Sequence, residues 1–247
     1  MQDPLFVALA LVAAVVVGLS KGGLPVVGML GVPVLSLATS PVTAAGLLLP
    51  VYVVSDIFGV IAYRRAFDWR NLLILGPAAT VGIVIGWATA TSVPERAVTA
   101  LVGAIGLAFA VTILLGRAGT GAPRRAGVVP GLFWGTLAGF TSFVSHAGAP
   151  PYQVYVQPQR LEKTVFAGTT TILFAYVNAV KLIPYYALGQ FSPENLRVAA
   201  LLFAPASLAV WAGVRLVRII PEPLFYRIVT WALLAVSLKL LWDAAGL

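Results

Sequence analysis

The chain has 247 residues, of which 60% are hydrophobic and 10% charged, with a mean hydropathy of +0.97 and a formal net charge of +8. Soluble domains carry about 25% charged residues, so a water-soluble fold is excluded, and the absence of cysteine removes disulfides, thiolate metal sites and cysteine nucleophiles. A hydrocarbon core of about 30 Å needs roughly 20 apolar residues per helix, so this length holds at most about ten spans and leaves no room for a soluble domain.

Apolar runs at 5–20, 24–38, 42–62, 71–90, 97–115, 128–144, 149–157, 164–186, 198–214 and 224–242 predict helices. The first runs straight into Lys21-Gly22-Gly23 with no basic leader or cleavage-like stretch, which marks it as a retained helix. The runs at 24–38 and 149–157 are too short to span comfortably. They read as half-helices or arms of re-entrant hairpins, since irregular backbone at membrane depth needs protein or a water-filled cavity around it. Pro50, Pro77 and Pro184 fall inside other runs and predict kinks.

Alternating these runs between two sides gathers Arg64, Arg65, Arg70, Arg117, Arg124, Arg125, Arg160, Lys163, Arg215, Arg218 and Arg227 on one side, with Arg96 and Arg197 opposite. Such a bias marks the basic side as cytoplasmic and places both termini in the periplasm. The basic balance is therefore topogenic, with no nucleic-acid partner implied. Tyr63, Trp69 and Trp242 near predicted boundaries fit interfacial belts.

The chain also reads as a duplication. Ser20-Lys21-Gly22-Gly23-Leu24-Pro25 reappears 125 residues on as Ser145-His146-Ala147-Gly148-Ala149-Pro150. Ala45-Gly46, Asp56 and Tyr63 recur at the same spacings as Ala167-Gly168, Asn178 and Tyr185, and Pro94-Glu95 recurs as Pro221-Glu222. Each half carries five apolar segments, and an odd number turns the second half upside down. The expectation is an all-α integral membrane protein of two inverted-topology repeats, residues 1–116 and 128–247, joined by a cytoplasmic linker at 117–127, an architecture common among secondary transporters.

An ionisable group at the bilayer centre costs about 2.5–3.5 kcal/mol on insertion scales, so Lys21, Asp56, His146 and Lys181 each need a reason. Gly22, Gly23 and Gly148 let the backbone leave helical geometry, and Pro25 or Pro150 can start a new half-helix whose free amides and positive dipole end attract an anion. Lys21 and His146 add charge, while Thr141, Ser142, Ser145 and the Asn178 amide offer donors to an oxyanion, with Lys181 on the Asn178 face. Plainer readings stand beside these. Lys21, Lys181 and Lys239 could snorkel to the interface, Asp56 could form a structural ion pair, His146 could be a packing residue, and the glycines could serve helix packing.

The run Gly18-Leu19-Ser20-Lys21-Gly22-Gly23-Leu24-Pro25, then Ser40-Pro41 with Ala44-Ala45-Gly46-Leu47-Leu48-Leu49-Pro50 and Asp56, resembles the first half of the TauE/SafE family of sulfite exporter-like permeases. Gly139-Phe140-Thr141-Ser142, His146 to Pro151, Gly168-Thr169 and Asn178-Ala179-Val180-Lys181 are similar to its second half. The resemblance covers essentially the whole chain. It implies a bacterial inner-membrane transporter of sulfite, organosulfonates or related sulfur oxyanions, without a cofactor.

The expected mechanism is alternating access around a midplane anion site, with Asp56 or His146 as the candidate carrier of a coupled proton and membrane lipids as the surroundings. A channel would share the anion site. An intramembrane enzyme acting on lipid phosphate or peptide is the rival from another class. Ser145 cannot use its neighbour His146, and Ser142 could meet His146 only if that stretch stays helical.

Overall fold

The computed structural model describes residues 3–25, 27–90, 92–116 and 123–246. Arg117 and the first part of the expected linker, residues 117–122, lie outside the described residues. The described chain forms α1 (Pro4–Lys21), a 3-10 turn (Val27–Leu30) running into α2 (Gly31–Ser36), then α3 (Pro41–Tyr63), α4 (Trp69–Ala88) and α5 (Glu95–Leu114). After the linker come α6 (Val128–Ser145), α7 (Ala149–Val156) with a 3-10 turn over Gln157–Gln159, α8 (Lys163–Ala187), α9 (Pro193–Ile219) and α10 (Glu222–Ala245). Every apolar run except the two short ones is a helix long and apolar enough to cross a membrane, eight in all among the described residues. The protein is a multi-pass membrane protein.

Polar residues set the helix ends, because the first amides of a helix have no partner within it. The side chains of Asp3, Ser40, Asp68, Glu162 and Ser192 accept from backbone N–H groups at the starts of α1, α3, α4, α8 and α9. α9 begins five residues before the run at 198–214, since Glu194 and Arg197 in its first turns interrupt the apolar pattern without interrupting the helix. Pro50, Pro77 and Pro184 lie inside α3, α4 and α8, which continue through them, as α9 continues through Pro205.

Two parallel helix pairs, each joining elements far apart in sequence, knit the bundle. Gly18 of α1 lies against Ala206 and Ala209 of α9, and Gly22, just past the end of α1, against Val210 and Gly213, where a Cβ on Gly22 would come within 2.6 Å of the Gly213 Cα. On α6, Gly131, Gly135 and Gly139 lie in turn against Ile74, Ala78 and Ala79 of α4. In lipid no hydrophobic force distinguishes helix from tail, so small residues that let backbones approach supply the contact.

The short segments turn back. Gly28 lies against Ser20, Gly31 against Val17, and Leu35 joins Phe6 and Ala10 in one apolar cluster, so residues 27–36 retrace α1 towards its start. α7 retraces α6, bringing the Tyr155 hydroxyl to donate to the Gly127 carbonyl at 2.9 Å. Helix direction then gathers Arg64, Arg65, Arg70, Arg124, Arg125, Arg160, Lys163, Arg215, Arg218 and Arg227 at one end of the bundle. The starts of α1, α3, α5 and α9 and the end of α10 share the opposite end. There Arg96 donates to the Ala244 carbonyl and Gly46 packs under Gln190.

Candidate anion site

α1 stops at Lys21, where Gly22 and Gly23 turn the chain; Gly23 has φ of +110°, a left-handed conformation that favours glycine. α6 stops at Ser145, and the left-handed residue there is His146, at φ +52°. Between the two breaks, α3 and α8 pass side by side. The four expected ionisable groups therefore meet in the protein interior, all at 5% exposure or less where lysine and aspartate are concerned.

Lys21 Nζ lies 2.8 Å from Asp56 Oδ1 and 5.0 Å from the centre of the Tyr52 ring. Asn178 Nδ2 donates to the other Asp56 oxygen at 2.7 Å. Lys181 Nζ donates to the Ser142 carbonyl at 3.0 Å and to its hydroxyl at 3.3 Å. Lys21 and Lys181 thus do not snorkel: they are turned inward, and Asp56 does form an ion pair. Among the described residues Lys181 has no carboxylate within ion-pair distance. With both lysines protonated, the cluster holds two positive charges against one negative.

These groups border a cavity of about 50 Å³ lined by Ser20, Lys21, Tyr52, Ser142, His146, Gly148, Asn178 and Lys181 together with the Thr170, Thr171 and Phe174 side of α8. A water needs about 10–15 Å³ of such space, so this is room for roughly three to five atoms of water size. Asp56 lies outside the lining and acts on it by fixing Lys21 and Asn178. Gly148 and Ala149 bring the start of α7, and its positive dipole end, to the cavity. The open amides there are fewer than a half-helix start would offer, because Pro150 and Pro151 have no N–H and Tyr152 N–H donates to the Gly148 carbonyl.

Several expected donors are placed elsewhere. Thr141 donates to the Leu137 carbonyl at 2.8 Å and reaches the Ala147 carbonyl at 3.1 Å, tying the chain across the break, and Ser145 donates to the Thr141 carbonyl at 3.2 Å. Neither lines the cavity. A helix lets serine and threonine satisfy their hydroxyls on the preceding turn, and these two do so. Gly22 and Gly23 also lie outside the lining; the first meets α9, and a Cβ on the second would come within 2.7 Å of the Tyr63 hydroxyl. Ser142 and His146 do not bond to each other, since α6 ends between them. Ser142 instead accepts from Lys181, and His146 Nε2 shares a hydrogen bond of 2.8 Å with the Tyr185 hydroxyl while its ring stacks on Tyr52 at 6.2 Å.

Tyr52, Thr170, Thr171 and Phe174 are among the cavity residues that sequence reading missed. For Tyr52 and Phe174 the expected repeat held a signal: the offset of 122 that maps Ala45 onto Ala167 maps Tyr52 onto Phe174. Tyr63 and Tyr185 also correspond, and each is tied to one break, Tyr63 donating to the Gly22 carbonyl at 2.6 Å and Tyr185 holding His146.

No curated protein and no solved structure matches the chain. The sequence matches the sulfite exporter TauE/SafE family over residues 6–240, nearly its whole length, and that family is one of membrane transporters. A buried cavity with two lysines between two broken helices and a family match that spans both breaks lead to one assignment: the chain belongs to the TauE/SafE family of sulfite exporters.

Proposed function

We propose that the protein is a secondary transporter that moves a small sulfur oxyanion, sulfite or an organosulfonate, across the bacterial inner membrane by alternating access of two inverted repeats, 1–116 and 128–247. The observation that carries this reading is two buried amines beside one carboxylate: Asp56 pairs with Lys21, Lys181 has only Ser142, and a bound anion supplies the negative charge that a protonated Lys181 calls for. Burying an unpaired cation costs several kcal/mol, so a group such as Lys181 at 1% exposure is retained for a reason. The cavity volume favours the smaller members of the class, since sulfite has four heavy atoms and taurine seven.

Correspondence between the halves supports the repeat. α1 pairs with α9 as α6 pairs with α4. Gly46 packs under the Gln190 backbone at one end of the bundle, and its counterpart Gly168 packs under the Ala66 backbone at the other. The ten arginines and lysines at a single end support a cytoplasmic assignment for that end, which sets both termini in the periplasm. On that orientation a potential negative inside favours anion exit by about 2.3 kcal/mol per charge per 100 mV, so export needs no other driving force.

His146 borders both the central cavity and a second one of about 250 Å³ at the less basic end, lined by Glu95, Tyr185 and Gln190. The His146–Tyr185 bond, stacked on Tyr52, is thus the layer that separates the site from that end. His146, or Asp56 behind Lys21, is the group placed to carry a coupled proton.

The test is thermal stability of the purified protein titrated with sulfite, thiosulfate, sulfate, taurine and sulfoacetate. An anion at 100 times its Kd stabilises by about 2.7 kcal/mol. We expect a sulfur oxyanion to do so selectively, and Lys181→Met and Lys21→Ala to abolish the shift. Absence of a shift with every anion would sink the reading.

A further inference from the structure

Beyond the central cavity, several buried polar side-chain atoms have no partner among the described residues, and two of the side chains that carry them lie together on α7 and the turn after it. Gln153 of α7 is fully buried, and neither its amide nitrogen nor its amide oxygen has a hydrogen-bond partner. One turn on, Gln157 is 8% exposed; its nitrogen donates to the Thr230 hydroxyl of α10 at 2.9 Å, and its oxygen has no partner. An unsatisfied buried polar group is destabilising, and a leucine at either position would avoid the cost.

Helical spacing gives the pair a direction. Ala149 lines the central cavity, Gln153 lies four residues along α7, and Gln157 four further on. Gln157 in turn lines a pocket of about 380 Å³ at the basic end of the bundle, with Arg160 and Glu222 at its rim. The charged groups of that lining are one of each sign, Arg160 and Glu222, and Arg160 is its donor to an anion. The unpartnered Gln153 amide and the half-partnered Gln157 amide therefore stand in line between the central cavity and the basic end. The corresponding positions of the first half, Gly28 and Val32, carry no amide.

We propose that Gln153 and Gln157 form a hydrated, amide-lined path that passes the anion between the central cavity and the pocket at Arg160. This rests on the transport reading above, and assigns α7 the route to the basic end. An amide suits a path better than a charge does: its N–H₂ donates to an oxyanion without holding it as tightly as a lysine would. It also offers no apolar surface for a hydrated ion to cross.

The cysteine-free chain allows a direct test. Gln153→Cys and Gln157→Cys are exposed to a charged, membrane-impermeant maleimide from each side of oriented vesicles, with no transported anion present. Both are expected to label from the basic side, Gln157→Cys faster, and neither from the other side. Failure of both to label from the basic side overturns the path. Alongside, Gln153→Leu is expected to raise thermal stability, to keep anion-induced stabilisation at the central site, and to slow transport about tenfold, the equivalent of one hydrogen bond to an ion. Unchanged transport in Gln153→Leu also overturns the path. Loss of anion-induced stabilisation in the unsubstituted protein would instead overturn the central site, so the two failures are distinct.

Discussion

The two broken helices solve one geometric problem with different chemistry. In the first break the residue after serine is Lys21, a full charge that the interior tolerates because Asp56 lies 2.8 Å away and is itself held by Asn178. In the second it is His146, which adopts the left-handed backbone itself and rests on neutral partners, Tyr185 and Tyr52. The first break is thus electrostatically committed, and the second is held by single hydrogen bonds and ring contact. Placing the charge pair on one half and the neutral network on the other leaves the second half freer to change state.

That contrast predicts its own largest effect. Asp56→Ala strips buried Lys21 of its carboxylate partner and should cost about 3–5 kcal/mol in unfolding free energy. His146→Ala, which removes a hydrogen bond and a stacked ring, should cost about 1–2 kcal/mol. The double variant Lys21→Met/Asp56→Leu should recover most of the loss, because it removes both charges together. Denaturant unfolding of the purified proteins measures all three, and equal costs for Asp56→Ala and His146→Ala would break the comparison.

A smaller effect separates the two turns by backbone. Gly23 and His146 both sit at positive φ, but only Gly23 lacks a side chain to strain. Gly23→Ala should cost about 1–3 kcal/mol, since the new Cβ must adopt the left-handed region and meets the Tyr63 hydroxyl. His146→Asn should be milder in unfolding assays, asparagine being among the residues that accept that conformation.

Most of the fold was legible in the sequence because lipid selects for it: a span must be long and apolar, and its ends must carry caps and basic residues. The runs at 71–90 and 164–186 differ from α4 and α8 by two residues or fewer at either end. The convergence of Lys21, Asp56, Asn178 and Lys181 was legible for a related reason, as charge within an apolar run is rare enough to stand out. Hydroxyls gave no such signal. Thr141, Ser142 and Ser145 look alike in sequence, yet only Ser142 borders the cavity, because the helix can absorb a hydroxyl at its own carbonyls and local sequence does not say when it does. Tyr52 was hidden among apolar neighbours, where an aromatic residue reads as core. Gly22 carries a residue type that fits both an open helix end and close packing, and only the position of Gly213 decides for packing.

The smallest predicted effect is the sharpest test of how the halves differ. Tyr63 and Tyr185 occupy equivalent places in the proposed repeat, and each makes one hydrogen bond to its break. Replacing either with phenylalanine should cost about 1 kcal/mol, the worth of one such bond. Function should separate them. Tyr63 holds a backbone carbonyl that has no part in the cavity, so Tyr63→Phe should transport at close to the unsubstituted rate. Tyr185 holds the ring of His146 between the central cavity and the vestibule at Glu95. Freed of that bond, the ring can turn, and Tyr185→Phe should alter the transport rate several-fold while unfolding at the same denaturant concentration as Tyr63→Phe. If both variants transport alike, the second break is no more mobile than the first, and the asymmetry lies in charge alone.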